Sequence, residues 1–260
     1  MRRNLISSLV LILLTAACAG SRPAGTQPER VPAPADDADK QFLLTYPNLP
    51  NPDGEVLLEN ELVVVQRFVV GPGEWEGIHS HPGNQVFVHV KGGQWSGRTG
   101  GGEAIVGAAR NDGEVGWMDP IPLSEGHESG NTGDTPIDLI WVTLKKEGPV
   151  AAAGTQVLLT YPNLADPDGD VLLDNDRVVV QRFALRPGEW EGIHAHPGNQ
   201  VYIHIKGGIW SGRRGGVQSA PSPFSETGSV GWSNAVPLSA QHESGNTGDT
   251  TIDLIWVTLK

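Results

Sequence analysis

Apolar positions along this chain fall in short runs, not in helical stripes. Gly54–Leu58, Leu62–Val70, Gly77–His81, Gln85–Lys91, Val115–Met118 and Ile137–Leu144 are each four to nine residues long, and most are rich in Val, Ile and Leu. Pro-Gly, Asp-Gly, Gly-Gly and Asn-Thr-Gly turns separate them. No segment repeats its apolar residues every 3.6 positions between recognisable caps, so the predicted elements are strands. Alternation in Gln85-Val-Phe-Val-His-Val90 puts Gln85, Phe87 and His89 on one face and Val86, Val88 and Val90 on the other. Neither is a solvent-facing set. One face is expected to line the inside of a barrel or sandwich, and the other to pack against a second body.

That second body is in the same chain. Residues 41–145 align with 156–260 without a gap, at 70 identities in 105 positions. The repeat predicts two domains of one kind, residues 41–145 and 156–260, joined by a linker at 146–155. The sister domain is the nearest partner for the Val86 face, which predicts an intramolecular pseudo-dimer. One block has diverged: residues 101–112 match 216–227 only at the leading glycine, as expected of a surface loop.

Composition agrees with a β protein: 34 Gly, 20 Pro and 8 Trp against 2 Met. A formal charge of −12 argues against nucleic acid and against adhesion to anionic lipid. With one cysteine, Cys18, there is no intramolecular disulfide. The N-terminus reads as a processing segment. Arg2 and Arg3 precede an apolar run from Leu5 to Leu14, too short to span a bilayer, followed by Thr15-Ala-Ala-Cys18. Residues 1–17 are thus expected to be a signal peptide and Cys18 the lipidated first residue of a bacterial envelope lipoprotein facing the periplasm or outside. Ordinary signal cleavage nearby is the alternative, and Thr15 departs from the usual lipoprotein pattern. Residues 18–40, dominated by Pro, Ala and Asp, read as a flexible tether.

The chemistry lies in Gly73-Glu-Trp-Glu-Gly-Ile-His79-Ser-His81-Pro-Gly-Asn-Gln85 and its copy from Gly188 to Gln200. Histidines at i and i+2 project together from a strand, whereas a helix would set them about 200° apart. His79, His81 and Gln85 share one face by this parity, as do His194, His196 and Gln200. A third histidine follows downstream in each copy, His127 and His242.

Both repeats resemble cupins, the small jelly-roll β-barrels. The first cupin motif, Gly-x5-His-x-His-x3-Glu-x6-Gly, is met by Gly73, His79, His81 and Gly92 and by Gly188, His194, His196 and Gly207, with Gln85 and Gln200 in place of the glutamate. The second, Gly-x5-Pro-x-Gly-x2-His-x3-Asn, is met by Gly116, Pro122, His127 and Asn131 and by Gly231, Pro237, His242 and Asn246, with Ser124 and Ser239 in place of the middle glycine. The resemblance implies an all-β fold of two tandem jelly-roll barrels. It also implies a divalent metal ion, Fe, Mn, Zn, Ni or Cu, in each: His79, His81 and His127 with Gln85 as an optional fourth ligand, and His194, His196 and His242 with Gln200. Loss of the motif carboxylate leaves a vacant or structural pocket as the other reading. Cupins include enzymes and binding proteins alike. A metal-dependent dioxygenase-type oxidoreductase on a small oxygenated substrate is one expectation, a lyase or isomerase a second, and a non-catalytic binder of an organic acid, sugar or metal a third.

Phe87 and Tyr202 are expected to line the pockets. His89 and His204 share that inward face, as pocket contacts or as hydrogen-bonded core histidines. Glu74, Glu76, Glu189 and Glu191 are expected to be exposed charges at the barrel mouths, with a general base as the alternative. Arg67, Arg182, Arg98 and Arg213 are expected in surface ion pairs, and Asn131 and Asn246 in turns. No phosphate-binding loop, dinucleotide fingerprint or Gly-x-Ser-x-Gly elbow is present.

Overall fold

The computed structural model describes residues 54–146 and 169–260. The leader, the tether, the linker and the opening segments of both repeats fall outside the described residues. In the first repeat the strands are β1 (Glu55–Glu59), β2 (Val63–Val70), β3 (Trp75–Ile78), β4 (Gln85–Lys91), β5 (Gln94–Thr99), β6 (Ile105–Ala109), β7 (Val115–Met118), β8 (His127–Asn131) and β9 (Ile137–Leu144). In the second they are β10 (Asp170–Asp174), β11 (Val178–Leu185), β12 (Gln200–Lys206), β13 (Trp210–Arg214), β14 (Val217–Gln218), β15 (Val230–Ser233), β16 (His242–Asn246) and β17 (Ile252–Leu259). Among the described residues the helical elements are two single 3-10 turns, Leu123–Glu125 and Leu238–Ala240.

Each repeat is a barrel of two antiparallel sheets. In the first, β1-β2-β9-β4-β7 faces β3-β8-β5-β6; in the second, β10-β11-β17-β12-β15 faces β14-β13-β16. The predicted β4, β7 and β9 have the boundaries read from the sequence. Three strands were not predicted: β5, β6 and β8. Their residues (Gln-Trp-Ser-Gly-Arg-Thr, Ile-Val-Gly-Ala-Ala and His-Glu-Ser-Gly-Asn) carry the Gly, Ser and Asn of turns, and pairing with neighbouring strands overrides that preference. The divergent block is likewise not all loop, since β6 pairs with β5 through it.

Both faces of β4 are buried, as the alternation requires. Val86, Val88 and Val90 point out of the first barrel and join Val201, Ile203 and Ile205 of the second in one apolar cluster, with Val63, Val65, Ile140, Val142 and their counterparts. The inward faces form separate small cores, Phe68, Ile137, Leu139 and Trp141 in the first barrel and Phe183, Leu254 and Trp256 in the second. Around the shared cluster the contacts are reciprocal. The Arg67 guanidinium packs on Gly228, and that of Arg182 on Gly113. Each arginine is also held bidentately by an aspartate of its own sheet, Asp138 at 2.9 and 2.6 Å and Asp253 at 2.9 and 2.7 Å.

Candidate metal centre

Strand pairing brings the three histidines of each repeat together. His79 and His81 lie just beyond the end of β3, where the chain continues in single bridges. His79 N–H donates to the His127 carbonyl at 3.0 Å, and His81 pairs with Ile121. His127 opens β8, the strand next to β3. The ring centres of His79, His81 and His127 are 4.8 to 5.1 Å apart, and those of His194, His196 and His242 4.9 to 5.2 Å. In each trio one nitrogen per ring lies within 4.8 Å of the others. Nitrogens about 2.1 Å from one ion are about 3.0 Å apart at right angles and about 4.2 Å apart when opposite, so sub-ångström adjustment closes each trio around an ion.

The hydrogen bonds fix which nitrogen of each motif-one ring faces inward. His79 Nδ1 lies 2.9 Å from the Gly77 carbonyl, which only accepts, so Nδ1 carries the proton. His81 Nδ1 lies 2.5 Å from Gln85 Oε1 and donates to it. Gln85 in turn donates from Nε2 to Thr143 Oγ1 at 2.7 Å, its partner across the β4–β9 ladder. Both Nε2 atoms therefore present lone pairs, and they face each other at 3.1 Å. The second barrel repeats this: His194 Nδ1 to the Gly192 carbonyl at 2.9 Å, His196 Nδ1 to Gln200 Oε1, Gln200 to Thr258 at 2.7 Å, and the two Nε2 atoms 3.0 Å apart. Facing lone pairs repel unless a cation lies between them, which is the fit a metal ion requires. A histidine ligand that donates its other ring N–H to a carbonyl is also the usual arrangement around a bound metal.

The imidazoles are neutral well into the acid range. Burial is the main cause, pushing His79, His89, His194 and His242 down to about 4 and His81 to about 3. His127, His196 and His204 are lowered for the same reason. Trp141 packs on His81 and Trp256 on His196, each with ring centres 5.0 Å apart. Phe87 lies against Trp141 at 5.3 Å, and Tyr202 against Trp256 at 5.2 Å. Their rings cover Gly116 and Gly231, where an added Cβ would come within 2.1 Å, so the second-motif glycine leaves room for an inward aromatic. In the second barrel a cavity of about 380 Å³ opens onto His196 and His242, walled by Tyr202, His204, Trp210 and Trp256.

One expectation is overturned. Glu76 and Glu191 are not exposed mouth charges: they are only 9% and 7% accessible. Glu76 Oε2 lies 3.9 Å from His79 Nε2, and Glu191 Oε2 3.5 Å from His194 Nε2. Glu76 turns inward because β3 is bulged. Trp75 pairs with Gly130 and Ile78 with Glu128, three residues against two, around Gly77 at φ +78°. The extra residue brings Glu76 onto the histidine face. An isolated glycine between Trp-Glu and Ile-His was the available signal. Glu74 and Glu189 do turn outward, each accepting a backbone N–H three residues back at 2.6 Å. Arg98 pairs with Glu128 and stacks on Trp75, and Arg213 lies over Trp190, 3.7 Å from Glu243. Asn131 is more than a turn residue: it is fully buried and donates to the Val70 and Thr135 carbonyls at 2.9 and 2.7 Å.

No family model and no curated protein matches the chain; the likeness is to solved structures. AerE from Microcystis aeruginosa superposes with a TM-score of 0.50 at 12% identity, covering 80% of this chain and 98% of its own. A protein from Pseudomonas aeruginosa assigned as glyoxylate induced gives 0.50 at 12% identity, over 80% of this chain and 79% of its own. A cupin 2 conserved barrel domain protein from Leptotrichia buccalis gives 0.42 at 12%, over 80% and 88%. The chain is a tandem pair of cupin-fold barrels, each carrying a histidine trio in its interior.

Proposed function

We propose that each barrel holds one divalent metal ion on three imidazoles and offers it to a small oxygenated molecule. His79, His81 and His127 would hold the first ion, and His194, His196 and His242 the second. The observation that carries this reading is the pair of Nε2 lone pairs at 3.1 and 3.0 Å, each fixed by a Nδ1–H bond on the far side of its ring. Three neutral imidazoles suit Fe, Mn, Zn, Ni or Cu. Such an ion supplies Lewis acidity toward an oxygen ligand or, as Fe or Mn, a site for O2 chemistry. The protein's own part is positional. Gln85 and Gln200 hold the His81 and His196 protons at Nδ1, and acting as a fourth ligand would cost each glutamine that bond. Trp141 and Trp256 press the same two imidazoles into place and exclude water.

A metal-dependent dioxygenase-type oxidoreductase is the activity proposed. A non-catalytic module binding an organic acid or sugar is the alternative. The same proposal puts the chain in the bacterial cell envelope, anchored through Cys18, with its two barrels working as an intramolecular pseudo-dimer. Metal analysis of protein purified without added metal should find two equivalents per chain and none in His79→Ala plus His194→Ala; unchanged metal in that variant would end the proposal. O2 uptake with phenolic or dicarbonyl compounds then separates the enzyme from the binder. Palmitate labelling lost in Cys18→Ala tests the anchor.

A further inference from the structure

We propose that the second barrel takes a small aromatic carboxylic acid, its ring inside the cavity and its carboxylate at the rim against Arg214. The inference rests on the reading above of the barrels as ligand sites and names the ligand of one of them. The rim is built by the β13–β14 hairpin, in which Arg213 pairs with Gln218 and Arg214 with Val217. Its turn is Gly215-Gly216, both at positive φ (+55° and +77°), a tight reversal that residues with a Cβ resist. A hollow of about 310 Å³ lies there, lined by both arginines, Gln218 and Ser219. It shares Gly212, Ser219 and His242 with the cavity of about 380 Å³, so the two adjoin beside the third histidine.

The two guanidiniums are not equally free. Arg213 lies over the Trp190 ring at 3.4 Å and stands 3.7 Å from a Glu243 oxygen. Arg214 is exposed and has no carboxylate partner among the described residues, which leaves its forked donors for an anion. The inner cavity has the opposite character. Among the described residues no Lys, Arg, Asp or Glu lines it, whereas Tyr202, Trp210, Trp232 and Trp256 do. A carboxylate therefore finds its charge partner at the rim, and a flat body finds its contacts inside. Hydrogen bonding decides between an aromatic ring and a sugar. Ser211 Oγ donates to the Ser219 carbonyl, Ser219 Oγ to that of Gly212, Ser222 Oγ to that of Pro223 and Ser233 Oγ to that of Asn234. Trp210 Nε1 donates to His204 and Trp232 Nε1 to Asn234. With these donors spent, a sugar would bury hydroxyl oxygens short of partners, a cost that an aromatic ring avoids. In the first barrel Thr99 stands at the position of Arg214, so its rim lacks this charge.

The test titrates metal-free, full-length protein with ferulate by calorimetry, so its failure and that of the metal reading come from separate measurements. One equivalent should bind, about tenfold tighter than coniferyl alcohol, which keeps the ring and lacks the charge. Arg214→Thr should bring ferulate down to the affinity of the alcohol. The alcohol itself should bind this variant as it binds wild type, which also shows that the variant is folded. Lys206→Gln, the same loss of charge at an exposed position lining neither hollow, should bind ferulate as wild type does. Equal affinity for acid and alcohol, or undiminished ferulate binding in Arg214→Thr, would overturn the proposal, as would no ferulate binding at all. Glucuronate, an acid on a sugar ring, should not compete; binding as tight as that of ferulate would overturn the aromatic assignment.

Discussion

The two barrels match at the histidine trio and part company at the wall around it. Trios, supporting glutamines, bulges and tryptophans superimpose residue for residue across the 115-position offset. The wall differs in kind. In the second barrel Trp210 Nε1 donates to His204 Nε2 at 2.9 Å, so the His204 proton lies on Nδ1, 3.0 Å from Ser229 Oγ. In the first, Glu114 stands at the equivalent of Ser229 and pairs with Arg110, while His89 Nδ1 is buried with no hydrogen-bond partner among the described residues. Five-residue β6 lines the edge of the first barrel. The second has only β14, then a coil whose Ser219, Ser222 and Ser225 line the cavity. Holding an ion fixes several atoms to within a fraction of an ångström, whereas choosing what approaches it leaves the wall free to vary. The two sites are thus expected to share a metal and differ in ligand.

Removing one site is the strongest way to break this comparison. His79→Ala should lose one of two bound metal equivalents, and His194→Ala the other; loss of both from either variant would show that the centres are not independent. Acid is the next largest perturbation and acts on both barrels. In the unfolded chain histidine takes up a proton near 6.5, whereas His79, His89 and His194 in the fold resist until about 4. Between those values the unfolded state binds more protons, so stability falls as pH drops from 6.5 toward 4. Each of these three histidines contributes on the order of 3 kcal/mol to that loss. Urea unfolding of metal-free protein at pH 7, 5.5 and 4.5 should show falling midpoints; a flat series would mean that the rings are not buried neutral.

Much of this was legible in the sequence, and the limits are physical. Apolar runs revealed β4 and β9 because their burial on both faces demands Val, Leu and Ile, while half-buried β7 stood out as a short Val-Gly-Trp-Met run after an Asp-Gly turn. The i, i+2 spacing and the downstream histidine located each trio, since only a few backbone paths bring such rings together. β8, which carries His127, was hidden because its Ser, Gly and Asn are chosen for closeness: Gly130 accommodates the Trp75 ring, where a Cβ would come within 2.5 Å. Glu76 is buried, not an exposed charge at the mouth, because the bulge around Gly77 turns it toward His79, which a charge next to the motif does not reveal. The role of Gln85 was invisible as well, because it depends on Thr143, 58 residues away across a ladder.

Two smaller perturbations sharpen the comparison. Ile203, fully buried in the cluster shared by the barrels, becomes a cavity in Ile203→Ala and should cost about 2–5 kcal/mol. Because that cluster belongs to both repeats, tryptophan fluorescence and metal release should report one transition, not two; two separated transitions would show barrels that fold apart. The smallest effect concerns position 214. Arg214 pairs across the β13–β16 ladder with His242, where the first barrel sets Thr99 opposite His127. Its charge helps hold the His242 imidazole in the neutral form. A guanidinium beside the third histidine favours an anion at the second trio, and at an exposed site such an interaction amounts to roughly 0.2–1 kcal/mol. In Co(II)-loaded protein, Arg214→Thr should therefore weaken azide binding to the second centre by about two- to fivefold, with the first centre unchanged. The reverse exchange, Thr99→Arg, should strengthen azide at the first centre by a similar factor, both shrinking in high salt. Equal azide affinity at the two centres of the wild-type protein would show that the wall does not select by charge.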